Sequence, residues 1–270
     1  MDYQTLAVEL ADHIATVTLN RPDKANAMEE AMWHEIRAAM QWADETPEVR
    51  CVILRGAGRH FTSGIDLAML ATLGERIRDA DAARGREKLR RIILDLQDCI
   101  TAVERCRKPV LAAIHGACIG GGVDLVTACD MRYCSADARF AVKEIDVGMT
   151  ADVGTLQRLP RLIGEGMARE LAYTGRNVDA AEAKAMGLVN HVFDNAEALD
   201  AGVRDIASTI AAKSPLAIRG CKEVITYARD HSVADGLNYV ATWNAALLLS
   251  NDLAEAGRAA MEKRPPRFED

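Results

Sequence analysis

The chain has 270 residues, 49% of them hydrophobic, and a formal net charge of −7. That is enough apolar material for a substantial core, long for one compact domain without dividing clearly into two. The acidic balance argues against a nucleic-acid or anionic-membrane surface, and no apolar run is long enough to span a bilayer; seven cysteines without a C-x-x-C pair read as reduced core residues rather than disulfides or metal ligands.

The first twenty residues, MDYQTLAVELADHIATVTLN, are acidic from the second position and carry no basic leader, and the terminal RFED is no peroxisomal address. These features predict a cytoplasmic protein. Leu6 to Glu9 and Ile14 to Leu19 read as a hairpin around Asp12-His13, broken by Arg21-Pro22-Asp23-Lys24. From Met28 the recurrence of Met28, Met32, Ile36, Met40 and Ala43 predicts a helix with a methionine stripe toward the core. Cys51 to Arg55 is a strand, and Gly56 to Leu67 carries it through a turn toward a second helix.

Glu75 to Lys88 is dense in both charges, which predicts a solvated, mobile face and at most a lid. A helix with Leu89, Ile92, Ile93, Leu96, Ile100 and Val103 on one stripe ends before Pro109. Val110 to Ile114 then reads as a buried strand, and Gly120-Gly121-Gly122 leads into an apolar helix from Val123 to Cys129. Farther on come a helix near Gly166 to Tyr173, a helix capped by Asp179 and ended by Gly187, and a strand from Leu188 to Phe193. Beyond Asn195 only helices are predicted: Leu199 to Ala212, Pro215 to Arg229, and Val233 to Met261 with a break near Ser250-Asn251. The pattern divides the chain into a core over 1–195 and a helical region over 196–270 that packs against other copies.

The chemistry is concentrated after Pro109. Successive glycines let a backbone pass close to a ligand, and the first N–H groups of a helix lack internal partners, so Gly121 can bind a developing oxyanion. Ile65, after Gly64, is the candidate for the second donor. Three carboxylates sit in apolar company nearby: Asp124 between Val123 and Leu125, Glu144 after Phe140-Ala141-Val142, and Asp152 beside Val153. Buried carboxylates have either a partner or a task, so the three together suggest acid/base work, although Asp152 alone also reads as an N-cap for a helix from Val153 to Leu159. No G-x-G-x-x-G fingerprint is present, and His115 lacks a nucleophile beside it and reads as structural.

Pro22-x-Lys24-x-Asn26-Ala27-Met28, Phe61-Thr62-Ser63-Gly64-Ile65-Asp66-Leu67, Ile114-His115-Gly116-Ala117-Cys118-Ile119-Gly120-Gly121-Gly122 and Gly187-Leu188-Val189 resemble the crotonase (enoyl-CoA hydratase/isomerase) superfamily over nearly the whole chain. The resemblance implies an α/β fold, a spiral of strand-strand-helix turns with a C-terminal helical oligomerisation region, assembled as trimers or hexamers. It also implies an acyl-CoA thioester whose carbonyl lies between the N–H groups of Ile65 and Gly121, with Ser63, Gly64, Ile65, Asp66 and Leu67 lining its path. No metal or resident cofactor is implied, since CoA arrives with the substrate.

Hydratases of the superfamily resemble this chain at Asp124 and Glu144 but carry glutamate at both, and usually a small residue where Asp152 stands. The three acids, within Gly-Gly-Gly-Val-Asp and Val-Lys-Glu-Ile-Asp-Val-Gly-Met-Thr-Ala-Asp, look like the delta(3,5)-delta(2,4)-dienoyl-CoA isomerase branch, as do Arg229-Asp230-His231-Ser232 and Ala241-Thr242-Trp243-Asn244. Met149-Thr150 departs from the branch's Leu-Ala, near the expected site. The implied roles are Asp152 as base at C2, Glu144 as acid at C6, and Asp124 keeping Glu144 protonated. A 2-enoyl-CoA hydratase is the nearest alternative. An RNA-binding protein of the same fold is the alternative of another class, and the first helix, with Glu29, Glu30, Glu35 and only Arg37, does not favour it.

Overall fold

A computed structural model describes residues 2–270. The chain opens with β1 (Leu6–Ala11) and β2 (Ile14–Leu19), paired antiparallel across Asp12 and His13, both at positive φ. A 3-10 turn, Pro22–Lys24, leads to α1 (Glu30–Glu45), then β3 (Cys51–Gly56), α2 (Leu67–Arg76) and α3 (Ala82–Arg105). The central passage is β4 (Val110–Ile114), β5 (Ala117–Ile119) and α4 (Gly121–Thr127), followed by β6 (Met131–Ser135), β7 (Arg139–Ala141) and a 3-10 turn at Glu144–Val147. Next are α5 (Thr155–Ile163), α6 (Glu165–Thr174), β8 (Val178–Asp179), α7 (Ala180–Ala185) and β9 (His191–Phe193). The tail is α8 (Ala196–Ala211), α9 (Pro215–Ala228), α10 (Val233–Leu247) and α11 (Asn251–Glu262).

The main sheet has the order β1-β2-β3-β4-β6-β9, parallel from β2 onward, and β5, β7 and β8 form a second, small sheet. A parallel sheet is covered on both faces, so its strands are apolar on both. In β3, Val52 and Leu54 face α1 and α3, while Cys51 and Ile53 face Leu199, Val203 and Ala207 of α8. The same alternation holds in β4, with Val110, Ala112 and Ile114 on one side and Leu111 and Ala113 on the other. Strand, short strand and helix recur around the molecule, as β4-β5-α4 and β6-β7-α5. This is the strand-strand-helix spiral the motifs imply, and α8 closes its outer face.

Several local expectations are corrected. The helix expected to start at Leu89 begins seven residues earlier, so only 77–81 of the charged stretch lies between helices, with Asp79 paired to Lys88 at 2.9 Å. Asp152 does not cap a helix: α5 starts at Thr155 with Gly154 as its N-cap. β5, β6 and β7 carry no clear alternation in sequence. In β6 the cause is Arg132, a buried cation whose Nε and Nη1 donate to the carbonyls of Leu188 and Cys129 at 2.8 Å. The strand expected over 188–193 is reduced to β9, preceded by Gly187 at φ +86.

Candidate active site

Two turns meet at the open end of the sheet. Gly121 is the first residue of α4, so its N–H has no intrahelical acceptor, and it donates to no group among the described residues. Ile65 lies opposite. Met28 fixes that segment from both sides, donating to the carbonyl of Gly64 at 2.8 Å and accepting from Asp66 N–H at 3.0 Å, which leaves the Ile65 N–H without an acceptor among the described residues. Thr62 buttresses the turn, its hydroxyl donating to Asn26 O at 2.6 Å and accepting from Gly64 N–H at 3.1 Å. Gly64 has φ +91, and a Cβ there would stand 2.6 Å from the Ile119 carbonyl and 3.3 Å from Gly121 N. Only glycine lets the two turns approach this closely.

Ile65 and Gly121 both border an apolar cavity of about 420 Å³. Its wall is Trp33 of α1, Met69, Leu70 and Leu73 of α2, and Leu89, Ile92, Ile93 and Leu96 of α3. The charged stretch 75–88, expected to be a mobile lid, is mostly helical and mostly exposed, and none of its residues borders the cavity, which is roofed instead by the apolar residues of α2 and α3 on either side of it. Asp124, Glu144 and Asp152 all border the same space, with Met149 and Thr150. A second cavity of about 400 Å³ is bordered by Ser63, Gly64, Ile65, Asp66 and Leu67, together with Lys143. Ile65, Gly121 and Glu144 belong to both, so the two free N–H groups stand where an outer passage meets an inner apolar chamber. That arrangement suits a long thioester with its carbonyl at the junction and its acyl chain inside.

The three acids differ in their surroundings. Asp124 is 1% exposed; its Oδ1 accepts the backbone N–H of Thr155 at 2.5 Å and its Oδ2 has no partner among the described residues. Burial pushes its pKa up to about 6 against the pull of the Thr155 hydrogen bonds, with the charge of Asp152 adding to the rise. Glu144 opens the 3-10 turn after β7, beside the oxyanion turn: a Cβ on Gly120 would lie 3.2 Å from its Oε1, and its buried Oε2 has no partner among the described residues. Burial, then the charge of Asp124, push Glu144 up to about 7. Asp152 is half-buried and raised by burial, opposed by a backbone hydrogen bond of its own residue. Gln97 of α3 holds its backbone, donating from Nε2 to Asp152 O at 2.6 Å. A carboxyl that keeps its proton near neutrality beside one more ready to ionise is an acid/base pair in waiting.

His115 is buried outside both cavities with Nε2 2.9 Å from Gly58 O, a structural position. The sequence reading passed over Gln97 and Trp33, which touch the site only through long-range packing. It also named no group with metal-type ligands. His34, Asp95 and Cys99 present such atoms within 4.8 Å of one another, but Arg37 binds Asp95 at 2.7 Å and already supplies the positive charge there.

The family model for enoyl-CoA hydratase/isomerase matches residues 9–270. Among curated proteins, the peroxisomal delta(3,5)-delta(2,4)-dienoyl-CoA isomerase of Arabidopsis thaliana is 53% identical over 251 residues, spanning 93% of this chain and 90% of its own. The mitochondrial enzyme of that name from Homo sapiens is 47% identical over 264 residues, 97% of this chain and 80% of its own. Among solved structures, an enoyl-CoA hydratase from Bacillus anthracis superposes with a TM-score of 0.89 at 33% identity, covering 98% of this chain and 99% of that one. The cytoplasmic placement expected from the termini is overturned by these comparisons, since the similar isomerases are named peroxisomal and mitochondrial. With the family model matched over 262 of its residues (9–270) and the fold shared with a solved enoyl-CoA hydratase, the chain belongs to the enoyl-CoA hydratase/isomerase family.

Proposed function

We propose that the chain converts 3,5-dienoyl-CoA thioesters to 2,4-dienoyl-CoA. The observation that carries the reading is the presence of three carboxylates on one apolar cavity, with two N–H groups at its mouth that are unpaired among the described residues. A C2 proton of the substrate lies between the thioester carbonyl and the conjugated diene, so its removal gives a trienolate with charge spread from oxygen to C6. Asp152 takes that proton. The N–H groups of Ile65 and Gly121 hold the enolate oxygen, a contribution of about 10²–10³ in rate for each donor of this kind. Glu144, protonated near neutral pH, delivers a proton to C6, and Asp124 keeps it protonated because neighbouring carboxylates resist double ionisation. The isomerases named above, about half identical to this chain, support the reading. CoA enters as part of the substrate, and no step is assigned to a metal or another cofactor.

A hydratase is the second reading, favoured by the overlap with the Bacillus anthracis enzyme. Hydration needs Asp124 and Glu144 to position one water; the third acid, Asp152, is superfluous to it. Comparing kcat/KM for a 3,5-dienoyl-CoA and a 2-enoyl-CoA of equal length separates the two. Faster conversion of the diene is expected, and faster hydration of the monoene overturns the assignment.

We also infer that the helical tail assembles copies of the chain into trimers or hexamers. An apolar groove of about 520 Å³ runs between α9, α10 and α11, and Leu249, Val233 and Met261 are 93%, 80% and 81% exposed around that end of the molecule. A solution mass of one 29.3 kDa chain overturns this.

A further inference from the structure

The isomerisation neither gains nor loses protons, yet it leaves the enzyme in the wrong state. Asp152 begins ionised and ends as a carboxylic acid; Glu144 begins as the acid and ends ionised. Before a second turnover a proton must leave Asp152 and another must reach Glu144. No hydrogen bond among the described residues joins any two of Asp124, Glu144 and Asp152, and Asp124 commits one oxygen to Thr155.

Asp152 and Glu144 each border a second space, and the two spaces differ. Asp152 and Val153 form the partition between the apolar chamber and a polar cavity of about 450 Å³ behind it. That cavity is lined by Glu104, Arg158, Arg161, Arg229 and Asp230, with Gln157 exposed beside them. Glu104 pairs with Arg158 at 3.2 Å and with Arg229, fixing charged groups around a space that suits water. Glu144 borders the outer, thioester-side cavity, which shares no lining residue with the polar one.

We propose that the two acids are reset separately through water: Asp152 releases the C2 proton into the polar cavity, and Glu144 takes a new proton from the thioester-side cavity. The hydrogen delivered to C6 therefore comes from solvent and not from C2. Protons balance over the cycle, one passing to water at Asp152 and one taken from water at Glu144. This rests on the assignment of Asp152 as base and Glu144 as acid.

The test uses a 3,5-dienoyl-CoA with both C2 hydrogens replaced by deuterium, converted in ordinary water. Product with one deuterium left at C2 and protium at C6 is expected; recovery of deuterium at C6 in most of the product overturns the proposal. A second arm fills the polar cavity with Gln157→Trp, since the Gln157 side chain has no hydrogen bond among the described residues. Steady-state turnover is expected to fall several-fold while the single-turnover rate is unchanged, and unchanged steady-state turnover overturns the proposal. A wrong base assignment shows differently, as a wild-type single-turnover rate in Asp152→Asn.

Discussion

Asp124 accepts the backbone N–H of Thr155, 31 residues along the chain, at 2.5 Å. One carboxylate oxygen thereby anchors the start of α5 while the other is buried without a partner among the described residues. The same residue ties down the segment carrying Asp152 and adds its charge to the burial that raises Glu144. Structural and electrostatic roles meet in one side chain.

Asp124→Asn separates those roles. The amide oxygen retains the acceptor for Thr155, so the fold persists, but the charge beside Glu144 is gone and its pKa falls. The alkaline limb of the kcat/KM profile is expected to move to lower pH. An unmoved limb contradicts the coupling.

In the wild-type enzyme the profile of kcat/KM should be a bell. Asp152 must be ionised to act as base, so activity falls on the acid side through its pKa, which burial holds above 3.8. Glu144 must be protonated to act as acid, so activity falls on the alkaline side near pH 7. A rate still rising well above that pH contradicts the role given to Glu144.

Glu144 also carries a cost in stability. Its folded pKa of about 7 lies above the ordinary value of 4.5, so the native state holds a proton that the unfolded chain releases between those values. Its contribution to stability is therefore fully present below the lower value and is lost as pH rises through the upper one. Glu144→Gln should melt higher than wild type above neutral pH and equally below pH 4.5. A gain of about 1 kcal/mol corresponds to roughly 2–4 °C for a chain of this size. An equal or lower melting temperature above neutral pH contradicts the unfavourable burial.

Gly64→Ala should cripple catalysis. Its Cβ would meet the Ile119 carbonyl at 2.6 Å at a φ of +91, so the two turns must separate and their N–H groups cease to converge. A fall of about 10²–10³ in kcat/KM is expected, the scale of one lost oxyanion donor. Activity within a few-fold of wild type contradicts the pairing of Ile65 with Gly121.

Much of this site is legible in local sequence because its parts are local. The hairpin at Asp12-His13, the stripe through Met32, Ile36 and Met40, and the glycine turn opening α4 all depend on neighbours within a turn or two. Arg132 hid a buried strand because its carbonyl partners, Leu188 and Cys129, do not mark themselves in the sequence. Asp152 resembled a helix cap for the opposite reason: its real neighbours, Gln97 and the two cavities, come from a distant helix and from tertiary packing. That the three acids share one chamber likewise became visible only in three dimensions.

The most direct measurement follows a 3,5-dienoyl-CoA in deuterated water by NMR with Asp152→Asn and Glu144→Gln. Both variants are expected to isomerise about 10²–10⁴-fold more slowly, the usual worth of a positioned acid or base. Glu144→Gln should still exchange the C2 hydrogens, and Asp152→Asn should not. Near-wild-type isomerisation by either variant, or exchange retained only in Asp152→Asn, contradicts the division of labour.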